Sequence, residues 1–357
     1  MTRSGVLVMS TLGVGDILLA QPLLEALRRA RSDRLVVLAR AGSPADLARR
    51  FRLADTVVDY VPRWPHRLTR GAALAPWIMR QRFSLVLTTT GMNPYYSALM
   101  AMASRAPLRI GEGRGWMRWA WTDMIAVTPR THAVKRNQAL GRAAGVNSGV
   151  TPRIVPYEME LEHARDLLGS DGCWIALSPG SNRHIAHKRW PLNRFAELVL
   201  RLRGRGAQIV LLGGPDEGDM GRQLTTQTGD DGITDLIGAT DVGTAAAVLS
   251  RCRIAVGNDG MLLHLAAAVG TPTIAIFGPS DPELYAPVGP HSIVVKRSLS
   301  CSPCDRRLPR GCPERHCLMG IEVDEIVERL EPFITCRPIR PPGLASLQSD
   351  ECAVPPR

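Results

Sequence analysis

Short apolar runs recur along the chain. Each is followed by a turn rich in glycine or small polar residues and then by apolar positions at helical spacing. In the first half, residues 4–10, 35–39, 56–61 and 85–89 have the length and β-branched content of buried strands, with a short run at 108–111. Residues 17–29, 46–51, 95–104 and 131–143 have the period of helices. The second half repeats the alternation: strands are predicted at 174–177, 208–212, 234–236, 253–256 and 273–277. Helices are predicted at 191–203, 218–228, 242–250, 261–269 and 321–330. Between the halves, 145–157 is rich in Gly, Pro and Ser, which sets a domain boundary there. Two successive βα arrays predict an α/β protein made of two doubly wound Rossmann-like domains, 1–155 and 156–335, facing each other across a cleft. Residues 336–357 are proline-rich and aperiodic and predict a disordered tail.

In a parallel sheet the carboxyl ends of the strands are where ligands bind, so the turns at those ends carry the candidate chemistry. The strand at 253–256 runs into Gly257-Asn258-Asp259-Gly260, with Asp259 placed to cap the helix that follows. The backbone N–H groups of Gly260, Met261 and Leu262 at that helix start suit an anion, most often a phosphate. Near the N-terminus, Gly13-Val14-Gly15-Asp16 sets a carboxylate at another strand end; Gly-x-Gly is only half of a dinucleotide fingerprint. Ser178-Pro179-Gly180-Ser181 opens a loop that runs through His184 and His187 to Lys188, a point charge suited to a diphosphate. Gly213-Gly214-Pro215-Asp216-Glu217 ends a strand in carboxylates, a pattern that suits a ribose diol. Each of these also has a plainer reading as a helix cap, a basic loop or a solvated turn.

Charge and composition narrow the choice. A net charge of +11 points to an anionic partner: nucleic acid, a phosphorylated substrate or an anionic lipid surface. The basic residues are spread along the chain, and no zinc-finger helix, RNP pattern or basic region with heptads accompanies them, so nucleic acid is set aside. No apolar run reaches the ~18 residues of a membrane span. Residues 6–10 lack the form of a signal peptide, so the chain is expected in the cytosol. Residues 114–121 interleave Trp and Arg, as a membrane-interface patch or as half-buried packing. Cys301-x2-Cys304-x7-Cys312-x4-Cys317 suits a structural zinc, with Asp305, Glu314 and His316 as substitute ligands. Reduced thiols, or a disulfide formed after isolation, fit the same spacing.

The ordered set of motifs resembles the ADP-heptose:lipopolysaccharide heptosyltransferases, glycosyltransferase family 9. The residues that carry the resemblance are Gly15-Asp16 with Pro22-Leu23-Leu24-x-Ala26-Leu27, Ser178-Pro179-Gly180-Ser181 with Lys188-Arg189-Trp190-Pro191, and Gly213-Gly214-Pro215-x-Glu217. They continue with Gly257-Asn258-Asp259-x4-His264-Leu265-Ala266-Ala267-Ala268 and Phe277-Gly278-Pro279-x-Asp281-Pro282. Many members also carry paired cysteines where Cys301 to Cys317 stand. The resemblance covers roughly residues 5–335. It implies the GT-B architecture and an inverting transfer with no catalytic metal or other cofactor; no Asp-x-Asp motif occurs in this chain. It implies Asp16 as catalytic base, with Lys188 and Asp259 at the donor phosphates and sugar. Glu217 would be a nucleotide-ribose ligand and the Ser181 loop would face phosphate; Gly260, Met261, Leu262 and His264 complete the donor set. Where the family has Ser or Thr and then Gly after the aspartate, this chain has Gly260-Met261.

The expected function is transfer of a sugar, heptose from ADP-heptose, to a lipopolysaccharide-core or similar glycan acceptor. That acceptor is an anionic glycolipid, so the enzyme is expected on the inner face of the cytoplasmic membrane, with Arg63, Arg67 and Arg70 at the acceptor's acidic groups. A GT-B nucleotide-sugar epimerase and a non-catalytic nucleotide-sugar-binding protein are the rival readings.

Overall fold

Strand formation follows the uninterrupted apolar runs. In the computed structural model, β1 (Val6–Ser10), β2 (Leu35–Arg40), β3 (Thr56–Tyr60), β4 (Leu85–Thr88), β5 (Leu108–Gly111) and β6 (Asp123–Met124) form one parallel sheet in the order 3-2-1-4-5-6. A second parallel sheet holds β7 (Trp174–Ser178), β8 (Gln208–Leu211), β9 (Ile233–Asp235), β10 (Ile254–Asn258), β11 (Thr273–Phe277) and β12 (Ser292–Lys296), in the order 12-11-10-7-8-9. That is the same winding repeated. The structure describes residues 5–61, 67–89, 93–112, 115–128, 130–169, 172–181, 183–304, 312 and 314–334.

Helices cover both faces of each sheet, which is why β1, β10 and β11 are buried along their whole length. The helices are α1 (Val14–Ala30), α2 (Ser43–Arg50), α3 (Arg67–Gln81), α4 (Pro94–Ala103), α5 (Ala133–Ala143) and α6 (Glu158–Leu168). They continue with α7 (Leu192–Arg203), α8 (Gly218–Thr228), α9 (Val242–Arg251), α10 (Met261–Ala268), α11 (Pro282–Tyr285), α12 (His316–Met319) and α13 (Val323–Ile334).

Among the described residues, three large apolar clusters form the layers, and a small fourth one joins Leu19, Ala133 and Val134. One core runs from Val6, Val8 and Leu87 through α1, α5 and α9 to Ala255 and Ala275, joining the facing sides of the two sheets. A second, with Trp190, Phe195 and Leu330, covers the outer side of the second sheet. A third, with Phe83, Met100 and Trp121, covers the outer side of the first.

Contacts across the middle of the molecule are specific. Helix α1 packs beside α10, and α2 beside α9. The Ile154 N–H donates to the Ala268 carbonyl at 2.9 Å and the Arg153 N–H to Gln21 Oε1 at 3.1 Å. Arg50 pairs with the buried Glu160 carboxylate, and Phe51 stacks on Tyr157 with ring centroids 6.4 Å apart. His132 caps α5 through Nδ1, which accepts the Val134 N–H, so its Nε2–H donates to the Ala286 carbonyl at 3.1 Å. Burial lowers the His132 pKa, in keeping with that neutral tautomer.

Several elements depart from expectation. Helix α3 begins inside what reads as a basic loop, because its arginines hide the apolar spacing of Leu74, Trp77 and Ile78. Helix α6 is rich in charged residues, and β12 is a short edge strand. The expected tail, 336–357, lies outside the described residues.

Candidate active site

Strand β10 does not stop at Val256. Gly257 and Asn258 continue its pairing with Ala275 and Ile276, so the turn begins at Asp259. Asn258 is 1% exposed and works as a clamp. Its Nδ2 donates to the Pro179 carbonyl at 2.7 Å, and its Oδ1 accepts the Trp190 N–H at 2.7 Å. One buried amide therefore ties both ends of the 179–190 loop to the sheet. The middle of that loop is one short 3-10 turn, Arg183–Lys188. Arg189 closes it from inside: Nε donates to Ser181 Oγ at 3.3 Å, and Nη2 bonds the Ser181 carbonyl.

Clamping the loop delivers Lys188 to Asp259. The ammonium donates to Asp259 Oδ2 at 3.2 Å, and the Ser280 hydroxyl donates to the same oxygen at 2.6 Å. Asp259 therefore does not cap α10 as expected. The cap position is Gly260, in extended backbone with no side-chain hydrogen bond to the helix start. Among the described residues no side chain caps the first-turn N–H groups of α10, which start beside a fixed lysine, and that combination favours a bound anion. Leu262 is buried, and Met261 packs half-buried against the shared core.

Glu217 is held differently. Its Oε2 accepts the Gly214 N–H at 2.9 Å, and Oε1 lies 4.0 Å from the Arg189 guanidinium. Burial raises its pKa, opposed by that hydrogen bond and by Arg189. The carboxylate lies so close to Gly180 that a Cβ there would fall 2.1 Å from Glu217 Cδ, so Gly180 is needed for the approach.

Asp16 sits on the opposite wall, in the first turn of α1. Its Oδ2 accepts the Gly13 N–H at 2.9 Å. Desolvation in the cleft raises its pKa from 3.8 to about 6; the hydrogen bond from Gly13 opposes the rise and the Asp259 charge adds to it. The two carboxylates thus feel each other across the cleft. His264, on α10, joins the walls: a Cβ on Gly15 would lie 3.1 Å from its Cδ2. The ring is buried, its Nδ1 has no hydrogen-bond partner among the described residues, and burial lowers its pKa to about 4. His264 is a neutral wedge between the halves of the site.

The structure thus gathers Asp16, Lys188, Asp259, Gly260, Met261 and His264 at one place, with Ser181 and Glu217 on two adjoining loops, after β7 and after β8. Arg67 and Arg70 lie in the first turns of α3, after β3 and so at the same sheet edge as Asp16; Arg63 lies outside the described residues. Sequence reasoning missed Asn258, Arg189 and Ser280. The first two stand inside the quoted motifs, and Ser280 fills a position left open in one of them.

Among the described residues, no three His, Cys, Asp or Glu come together as a metal-holding group. Cys301 is exposed, while Cys304, Cys312 and Cys317 are half-buried. The Cys317 pKa is raised by burial, and the charges of Cys304 and Cys301 add to that. His316 bonds Glu314 instead, at 2.7 Å. Asp305, a substitute ligand, lies outside the described residues, as do the residues on either side of Cys312.

The profile of Glycosyltransferase family 9 (heptosyltransferase) matches residues 72–313. The chain is 25% identical over 308 residues to Lipopolysaccharide heptosyltransferase 2 of Salmonella typhimurium, spanning 82% of this chain and 87% of that protein. It is 27% identical over 225 residues to Lipopolysaccharide heptosyltransferase 3 of Escherichia coli, spanning 60% and 64%. Among solved structures, E. coli ADP-heptose lps heptosyltransferase II superposes with a TM-score of 0.73 at 23% identity, over 92% of this chain and 98% of that one. A family 9 glycosyltransferase from Veillonella parvula gives 0.79 at 21% identity, over 94% and 98%. The shared fold is GT-B: two doubly wound parallel sheets facing across a cleft.

Proposed function

Because the chain belongs to glycosyltransferase family 9, the heptosyltransferases, and is therefore a glycosyltransferase, we propose that it moves a heptose from ADP-heptose to a lipopolysaccharide-core acceptor by direct, inverting displacement. The observation that carries this reading is the pairing of Asp16, its pKa lifted to about 6, with the Lys188–Asp259–Ser280 cluster and the uncapped start of α10. A base and an anion-binding surface are what such a displacement needs on opposite sides of the reacting carbon.

The acceptor hydroxyl oxygen bonds to the anomeric carbon as the bond from that carbon to the diphosphate oxygen breaks. The diphosphate leaves with the electron pair, and the acceptor proton passes to the Asp16 carboxylate. Lys188 and the Gly260, Met261 and Leu262 amides offset the charge that develops on the leaving diphosphate. Asp259 fixes the lysine there. Glu217 accepts from the ribose hydroxyls, and Ser181 lines the phosphate path. No step calls for a metal, and the enzyme works at the inner face of the cytoplasmic membrane, where Arg67 and Arg70, with Arg63, meet the acidic groups of the acceptor. The second half of the chain, 156–335, acts as donor domain and the first, 1–155, as acceptor domain.

The test is calorimetric titration with ADP, UDP, GDP and CMP, without added metal. Selective ADP binding, weakened by Lys188→Ala and by Glu217→Ala, is expected. Preference for another nucleotide would move the donor; binding of none would point to a scaffold.

A further inference from the structure

Helix α4 turns one apolar face outward. Ser97, Ala98, Met100 and Ala101 are buried in the outer core of the first sheet, whereas Tyr95, Leu99 and Met102 are 53%, 51% and 37% exposed. Their spacing of four and then three residues sets them in one stripe along the helix. The stripe has an apolar neighbour. The 3-10 turn Gly115–Ala120 packs against α4, with Met117 and Ala120 buried and Trp119 left 55% exposed. Along the other flank runs α3, whose last turn exposes Met79 and Arg80. The Trp- and Arg-rich segment thus divides: some of its side chains pack and others face outward.

The charge here is one-sided. From residue 60 to residue 111 the chain has seven arginines and neither Asp nor Glu, against a net +11 for the whole protein. The arginines are hardly denser here than elsewhere; this layer, which comprises α3, α4 and the strands beneath them, differs in its lack of acids. Exposed Arg118 stands beside Trp119, and exposed Arg105 follows the end of α4. Apolar side chains with an exposed Trp, with Arg105 and Arg118 beside them, match a bilayer surface bearing anionic headgroups, although Glu112 and the exposed Asp123 flank the Trp119 turn in the chain. Helix α4 starts after β4, on the same sheet edge as Asp16. A membrane against it would therefore lie near the mouth of the cleft.

We propose that the outer face of the first domain, formed by Tyr95, Leu99, Met102 and Trp119 and rimmed by Arg105 and Arg118, docks the enzyme on an anionic lipid bilayer. The inference rests on the glycolipid-acceptor reading and names the surface that serves it. Apolar side chains enter the headgroup region while the arginines hold the phosphates, so binding is strongest at low salt.

The experiment is co-sedimentation with vesicles of equal parts phosphatidylglycerol and phosphatidylcholine, and with vesicles of phosphatidylcholine alone. Wild type is expected to sediment with the anionic vesicles and to be released by salt. The double variant Leu99→Glu, Trp119→Ser is expected to bind about tenfold more weakly or worse, with melting temperature and ADP affinity unchanged. If that variant does not fold, Arg118→Glu replaces it, with a loss in the same direction. Wild type that ignores anionic vesicles, or variants that bind like wild type, would overturn the proposal. So would a dimer in solution that the double variant dissolves, since the stripe would then belong to a second copy. Failure of the glycosyltransfer reading is separate: it appears as absent transfer to a detergent-dispersed acceptor while vesicle binding persists.

Discussion

At Asp16 two effects compete. The Gly13 N–H favours the carboxylate; desolvation and the Asp259 charge disfavour it and prevail, giving a pKa of about 6. Between its ordinary 3.8 and that value the folded protein holds a proton that the unfolded chain has released. Stability is therefore lost as pH rises through this window, and the deficit persists above it. Asp16→Asn should raise the melting temperature at pH 7, with the gain fading as pH falls toward 4. The same change should cut turnover by about 10²–10⁴-fold, the usual worth of a general base, while ADP affinity stays near wild type. In the wild type, kcat/KM should climb with pH and level off above about 6; a flat profile between pH 5 and 7 would remove Asp16 from the base role. His264 acts in the opposite sense. Its folded pKa is lowered to about 4, so its contribution to stability is lost as pH falls through the window below 6.5. Acidification should therefore destabilise Asp16→Asn more steeply than wild type.

At the scale of elements, the 179–190 loop decides whether Lys188 reaches the site, and Asn258 decides the loop. Replacing Asn258 by Ala removes the clamp and leaves buried backbone groups unpaired, a cost of about 2–4 kcal/mol. Faster proteolysis between Gly180 and Trp190, together with weaker ADP binding, is the expected readout. Gly180→Ala should give a similar loss by driving Glu217 out of place. Much of this region is legible in the sequence, because strand ends, glycines and carboxylates fall at fixed offsets. The hydrogen bonds are not. Asp259 has the composition of a helix cap, and only the folded loop shows that Lys188 and Ser280 claim its carboxylate. Helix α6 was illegible for another reason: it buries few side chains, Glu160 among them, so its apolar period is weak. The cysteine loop has a protein anchor that spacing could not reveal, since Cys304 N–H and Ser302 Oγ bond the Pro279 and Gly278 carbonyls.

Over the whole molecule, the cleft exists because two similar α/β halves share one apolar core. The strut on the far side from Asp16 is partly polar: Arg50 on Glu160, Phe51 on Tyr157, and Gln21 on the Arg153 N–H. Arg50→Ala would leave the Glu160 carboxylate buried with its charge partner gone, and should lower the melting temperature by a few degrees. If Asp16 and Lys188 must be held in register across the cleft, turnover should fall more than ADP affinity does. The two-domain plan was legible from the repeated alternation of strands and helices. The polar strut was not, since its partners lie far apart in the chain. The most direct test of the account is mass spectrometry of a heptose-deficient lipopolysaccharide core incubated with ADP-heptose and either wild type or Asp16→Asn. Wild type should add one heptose and release ADP only when acceptor is present, and the variant should bind ADP yet add almost none. Transfer by the variant at the wild-type rate, or ADP release by wild type that ignores the acceptor, would contradict it.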